Sequence, residues 1–188
     1  MIEASKSVAG AITDFAQSSG DEMDMAIDGI IERLSMGGKV IAFGNGGSAS
    51  DAQHICGELI GWFNDKDRPG IPAIDLVGGA STITAISNDT SYDNVFARQV
   101  ETLANKDDIL IGISTSGNSI NVVNALKSGK KLGCFNVGLS SGEGGNMKAF
   151  CSVMLNADSK ETPIIQQVHE FAYHYLCGEI ERLSNEQC

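Results

Sequence analysis

Five short apolar runs, separated by segments of helical periodicity, constrain the fold of this chain more than any other feature. The runs are Lys39–Phe43, Ala73–Val77, Asp108–Ile113, Gly133–Val137 and Ser152–Leu155. Helical patterns lie between them at Asp51–Phe63, Ser81–Ser87 with Asp93–Ala104, and Ile120–Lys130, with a short turn near Met147. Strands that alternate with helices predict an α/β fold with a mainly parallel sheet covered on both faces. Two amphipathic helices precede the first strand. One runs to about Ser18, and the other starts near Asp21, carries Met25, Ile27, Ile30, Ile31 and Leu34 at helical spacing, and ends at Gly37-Gly38. A last helix opens at Thr162-Pro163, a good cap and first-turn pair, and reaches about Leu183. Its apolar stripe is Ile164, Val168, Phe171, Tyr175, Leu176 and Ile180. The 188 residues suit a single domain with a full core, and residues 64–70 read as a polar loop.

Charge narrows the partners. Lys and Arg total 13 against 24 Asp and Glu, a formal charge of −11. Nucleic-acid affinity rests on neutralising phosphates with Lys and Arg, so that class is excluded. A phosphate site in such a chain must be local, built from amides and hydroxyls. The five cysteines form no CxxC pair and fit reduced thiols rather than a disulfide framework. Glu3 and Asp14 stand in a helical pattern rather than a signal peptide, and no apolar stretch approaches the ~20 residues of a membrane span. A cytoplasmic protein without membrane partners is expected.

In parallel sheets, ligands bind beyond the C-terminal ends of the strands. Three glycine- or serine-rich segments fall at such ends: 44–48, 78–81 and 114–119. In the first, Gly44, Gly46 and Gly47 allow close backbone approach and positive φ, and Ser48 is the expected N-cap of a helix whose free N–H groups favour an anion. His54 and Glu58 follow on that helix, four residues apart and on one face. In the other, Ser114, Thr115, Ser116 and Ser119 surround Gly117 ahead of a helix, and short hydroxyls with exposed amides can ring a phosphate. Either loop alone is equally a polar turn with a capping serine; two at neighbouring strand ends favour a phosphate site. Asn88-Asp89 alone is a turn, and His54 with Glu58 alone is a structural histidine beside a solvated carboxylate. The final helix carries Gln166, His169 and His174, so all three histidines lie in two helices. Histidine is the usual metal ligand and acid/base near neutral pH. Gln166 and His174 would lie ~12 Å apart along an ideal helix and ~80° around it, a geometric objection to one metal touching both within one chain.

Together these segments resemble the phosphoheptose isomerases of the sugar-isomerase (SIS) domain family. The resemblance is carried by Gly44-Asn45-Gly46-Gly47-Ser48, Asp51-Ala52-Gln53-His54, Glu58, Arg68-Pro69-Gly70, Asn88-Asp89, Gly112–Ser119, Thr162-Pro163, Gln166, His169 and His174, in that order over nearly the whole chain. It implies one SIS domain over residues 1–188. The architecture would be a three-layer, flavodoxin-like sandwich with a five-stranded parallel sheet between helices. Helices within residues 1–36 would serve assembly of a homotetramer with active sites at subunit interfaces. The implied reaction interconverts sedoheptulose 7-phosphate and D-glycero-D-manno-heptose 7-phosphate through an enediol. Carried over by position, Ser114, Thr115, Ser116 and Ser119 would hold the phosphate. Asn45, Gly46, Gly47, Ser48, Glu58, Asn88, Asp89 and Gln166 would contact the substrate. His54, Glu58, Gln166 and His174 would hold one zinc ion per site, with Glu58 and His174 as the acid/base pair.

The chain departs from the family pattern in two places. Trp62 stands where an arginine is common, and Ile164-Ile165-Gln166-Gln167 stands where Arg-Ile-Gln-Glu is common. The lost charges leave room for an isomerase of a different phosphosugar. A non-catalytic SIS protein that binds a sugar phosphate or a partner is the other alternative; Glu58 and His174, which such proteins lack, argue against it.

Overall fold

The structure, a computed structural model, describes residues 1–186, with the backbone alone at 185 and 186; Cys188 lies outside the described residues. Five strands form one sheet: β1 Val40–Gly44, β2 Ala73–Asp75, β3 Ile109–Ile113, β4 Phe135–Ser141 and β5 Val153–Ala157. All neighbouring pairs are parallel, in the order β2-β1-β3-β4-β5. Seven α-helices surround the sheet: α1 Ile2–Ser18, α2 Gly20–Ser35, α3 Gly47–Ile60, α4 Ala80–Asp89, α5 Val95–Leu103, α6 Ile120–Leu132 and α7 Thr162–Glu186. Short 3-10 helices span Tyr92–Asn94 and Gly145–Phe150. Every residue of β1 and β3 is buried, as a parallel sheet sandwiched between helix layers requires.

Alternation along the strands divides the core in two. Val40, Ala42, Ile109, Ile111 and Ile113 face a cluster with Phe15, Ile27 and Ile30 of the N-terminal helices, Ile55 of α3 and Val168 and Leu176 of α7. Ile41, Phe43 and Leu110 point the other way, to Phe96 and Val100 of α5 and Val122 and Leu126 of α6. Helix α7 thus shares one layer with α1, α2 and α3, and this placement brings the chemistry of α3 and α7 together.

The element boundaries differ from the sequence expectation where side chains intervene. Strand β2 stops at Asp75 because its carboxylate accepts the N–H groups of Val77 (3.0 Å) and Gly78 (2.6 Å) and turns the chain out of the ladder. Gly133 is not in a strand but is the left-handed C-cap of α6, at φ 88°. Strand β4 runs on instead through Gly138-Leu139-Ser140-Ser141, glycine and serine that read locally as a turn. Helix α3 ends at Ile60, so Trp62 and Phe63 lie in the following turn. The four described cysteines are free thiols, and burial pushes Cys56 up to about 12. No helix among the described residues is long and apolar enough to cross a membrane.

Candidate active site

The loop after β1 is shaped by glycine. Gly46 has φ 59° and caps α3, which begins at Gly47. This corrects two expectations. Ser48 is not the N-cap: it lies in the first turn, 3% exposed, with its amide donating to the Asn45 carbonyl at 3.1 Å. Gly44 and Gly47 also lack positive φ; what they provide is space, since a Cβ at Gly47 would strike the amide of Gln166, which rests against that turn.

Asn45 is tied sideways. Its side-chain amide exchanges two hydrogen bonds with Asn121 of α6, both 2.9 Å, and its Oδ1 also accepts from the Tyr92 hydroxyl at 2.9 Å. Asn88 and Asp89 end α4 as exposed residues, with Asn88 Nδ2 donating to Asp89 Oδ1 at 2.8 Å. Tyr92, three residues further on, links that helix end to the β1 loop.

The second loop lies beside the first because Gly44 registers with Ile113. Ser114 is buried and shares a 2.9 Å hydrogen bond with Ser119 Oγ, while Thr115 is half-buried and Ser116 exposed. Gly117 turns at φ 67°, its backbone so close to Gly144 that a side chain there has no room. Ser141 Oγ donates to the Thr115 carbonyl at 2.6 Å, and Asn146 N–H to Asn118 Oδ1 at 3.1 Å, so the β4 extension forms the back wall of the loop. His169 pins that wall to α7: it is 1% exposed and bonds the Ser140 carbonyl at 2.8 Å. Burial pushes its pKa down to about 4, so it is neutral and donates through Nε2.

On the exposed edge of the α3–α7 contact, His54, Glu58 and His174 converge, with one ligand atom from each within 4.8 Å of the others. His54 Nε2 lies 3.0 Å from Glu58 Oε1 and 3.4 Å from His174 Nε2. A tetrahedral ion with bonds of about 2.0–2.1 Å needs donors about 3.3 Å apart, which the two His54 spacings approach. The other His54 nitrogen, Nδ1, pairs with the Tyr173 hydroxyl at 2.9 Å, which fixes the ring with Nε2 facing the cluster. Burial and neighbouring carboxylates push the Tyr173 phenol upward, so it stays a hydroxyl. Gln166, in the first turns of α7, rests its side-chain amide against Gly47 at the start of α3.

Three further charged residues, Asp51, Arg68 and Glu181, shape the surroundings of this trio. Asp51, one turn before His54, is half-buried with Oδ2 unpartnered; burial pushes its carboxyl up to about 6, the Glu170 charge adds to this and His54 opposes it. Arg68 and Glu181 form a buried ion pair at 2.7 Å. Arg68 also donates to the Glu58 carbonyl at 2.7 Å, and Glu181 accepts the N–H groups of Phe63, Asn64 and Asp65. Burial alone would raise the Glu181 carboxyl, but Arg68 and the three amides outweigh it and hold it at about 2. In the sequence Arg68 stands in a polar loop and Arg68-Pro69-Gly70 belongs to the family resemblance, but nothing local ties it to Glu181. Trp62 is 52% exposed, with the Lys66 ammonium 5.8 Å from its ring centroid. Ile164 and Gln167 line a groove with Met1, Ser5 and Val8 of α1.

Comparison with known proteins decides the family. Residues 5–141 match the SIS domain. The chain is 50% identical over 151 residues to the phosphoheptose isomerase of Aliarcobacter butzleri, covering 80% of this chain and 79% of that one. It belongs to the phosphoheptose isomerase family of SIS-domain proteins. The phosphoheptose isomerase of Helicobacter pylori is 45% identical over 172 residues, covering 92% of this chain and 89% of its own. A solved phosphoheptose isomerase from Francisella tularensis superposes with a TM-score of 0.91 at 33% identity, over 96% of this chain and 95% of that one. The five-stranded parallel sheet of this chain is thus the fold of a phosphoheptose isomerase.

Proposed function

We propose that Glu58 and His174 are the acid/base pair with which this phosphoheptose isomerase converts sedoheptulose 7-phosphate to D-glycero-D-manno-heptose 7-phosphate. The observation that carries the reading is their convergence from two helices, with His54, inside 4.8 Å. A ketose becomes an aldose when a proton leaves C1 and one arrives at C2, with O1 losing a proton and O2 gaining one. Glu58, a carboxylate with one oxygen on His54, takes the carbon-bound proton from C1, exchanges it with solvent at the open edge of the site and delivers a proton to C2. His174, half-buried on α7, serves the two oxygens. The intermediate is the cis-enediol.

The rest of the site holds the substrate still. Ser114, Thr115, Ser116 and Ser119 with the loop amides receive the phosphate, supported by the back wall that Ser141 and His169 secure. Asn45, Gly46, Gly47, Ser48, Asn88, Asp89 and Gln166 line the sugar, Ser48 through its backbone because its side chain is buried. The imidazole–carboxylate–imidazole set is chemistry that suits zinc, with Gln166 of the same or another subunit as a further ligand. A bound zinc ion would polarise the carbonyl and stabilise the negative oxygen. Assembly as a homotetramer through α1 and α2, within residues 1–36 of a single domain, is supported by an apolar recess lined by Phe15, Met23, Phe171 and Tyr175. A cytoplasmic location is consistent with free thiols and a phosphorylated substrate.

Incubation of the purified protein with sedoheptulose 7-phosphate, with and without zinc, tests this reading by NMR. Aldose formation is the expected result, faster with zinc. No conversion in either condition, or conversion of another phosphosugar in clear preference, would overturn it.

A further inference from the structure

We propose that Tyr92 and Asn121 are positioning residues that fix the polarity of Asn45, so that Asn45 offers the sugar a hydrogen-bond donor and no acceptor. The proposal rests on the reading that Asn45 lines the sugar. An amide side chain can be turned over, exchanging its oxygen for its NH₂, unless its partners fix it. Here they do, and the chain of constraint starts at a backbone group that can only donate. The Val122 N–H donates to Asn121 Oδ1 at 2.9 Å. That places Asn121 Nδ2 against Asn45, where it donates to Oδ1 at 2.9 Å, and Asn45 Nδ2 returns a bond of the same length to Asn121 Oδ1. Asn121 is 3% exposed, so turning it over would bury the Val122 N–H against another donor.

Tyr92 then removes what acceptor capacity remains. Its hydroxyl donates to Asn45 Oδ1 at 2.9 Å, so that oxygen takes two hydrogen bonds and both lone pairs are spent. One Nδ2 hydrogen of Asn45 is used by Asn121, and the second has no protein partner among the described residues. Asn45 itself is half-buried at the mouth of β1, between the two loops at the strand ends. The group it would take is an acceptor oxygen, a carbonyl or hydroxyl of the sugar. Because Tyr92 follows Asn88-Asp89 by three residues, the same bond sets the distance between the two sides of the sugar cleft.

Steady-state isomerisation of sedoheptulose 7-phosphate, paired with competitive inhibition by inorganic phosphate, tests the proposal. Tyr92→Phe keeps the ring and removes one donor, and kcat/KM is expected to fall about 2- to 10-fold, the worth of one neutral hydrogen bond. Asn121→Asp sets a carboxylate oxygen against Asn45 Oδ1 where a donor stood, an opposition that turning the Asn45 amide over would only move to the other oxygen, so the loss is expected to exceed that of Tyr92→Phe. In Tyr92→Phe the inhibition constant for inorganic phosphate should stay at its unmodified value, because the serine loop and its charge are untouched; a variant that merely loosened the fold would weaken both. Unchanged kcat/KM in Tyr92→Phe overturns the proposal, as does a loss matched by equal weakening of phosphate inhibition. Tyr92 is 52% exposed, so its variant decides the matter alone if Asn121→Asp does not fold. Failure of the unmodified protein to isomerise the sugar would instead remove the functional reading itself, and the proposal with it.

Discussion

Helices α3 and α7 are joined at two levels, and the two junctions obey opposite rules. At the lower one, Arg68 and Glu181 are buried and saturated: five hydrogen bonds run from the guanidinium and from three loop amides to the Glu181 carboxylate and the Glu58 carbonyl. At the upper one, His54, Glu58 and His174 crowd together with one ligand atom from each within 4.8 Å of the others and one side open to solvent. A saturated buried pair has nothing left to offer a ligand, and removing either partner strands a charge. A convergent, partly exposed set has unspent lone pairs, and that is what binding and proton transfer use. The lower junction also steadies the upper one, since Arg68 holds the backbone of Glu58 itself.

Four experiments break or sharpen that contrast. The largest effect is expected from Glu58→Gln, which should cut isomerisation by about 10²- to 10⁴-fold while the melting temperature changes little; near-normal turnover would remove Glu58 from the chemistry. Arg68→Met should do the reverse. It leaves Glu181 uncompensated and costs about 3–5 kcal/mol in chemical denaturation, and adding Glu181→Gln, which removes the stranded charge and keeps an acceptor for the loop amides, should recover part of the loss. Smaller still is the response to zinc. At a hundred times its dissociation constant the ion should raise stability by about 2.7 kcal/mol, and His54→Ala should abolish the rise. A fourth effect is confined to acid. The Glu181 carboxyl sits at about 2 in the fold against 4.5 when unperturbed, so the fold binds fewer protons than the unfolded chain between those values. Its contribution is complete above pH 4.5 and is lost as pH falls toward 2; Glu181→Gln should flatten that limb of the stability curve.

Much of this was readable in the sequence, for physical reasons. Strands β1 and β3 announce themselves because a strand buried on both faces must be a continuous apolar run, and Val40–Phe43 and Ile109–Ile113 are. Strand β4 runs past its apolar stretch because Thr115 and His169, across space, bond Ser141 and the Ser140 carbonyl, while Gly138, Ser140 and Ser141 carry no apolar signal in the sequence. His54 with Glu58 was visible as a helical pair, but their meeting with His174 depends on how α7 crosses α3. Ser48 resembled a cap because its neighbours suited one; Gly46, with its positive φ, fills that role and drives Ser48 inward. Arg68 with Glu181 and Asn45 with Tyr92 and Asn121 join residues 113, 47 and 76 positions apart, separations across which no local pattern reaches.

The most direct test of the central claim is the fate of hydrogen during turnover. Sedoheptulose 7-phosphate should be converted in D₂O by the unmodified protein and by Glu58→Gln, with the product followed by NMR. If Glu58 carries the proton through an enediol, the unmodified protein yields aldose bearing deuterium at C2, and Glu58→Gln yields almost none in the same time. Aldose formed without deuterium, or at an equal rate by Glu58→Gln, would contradict the account.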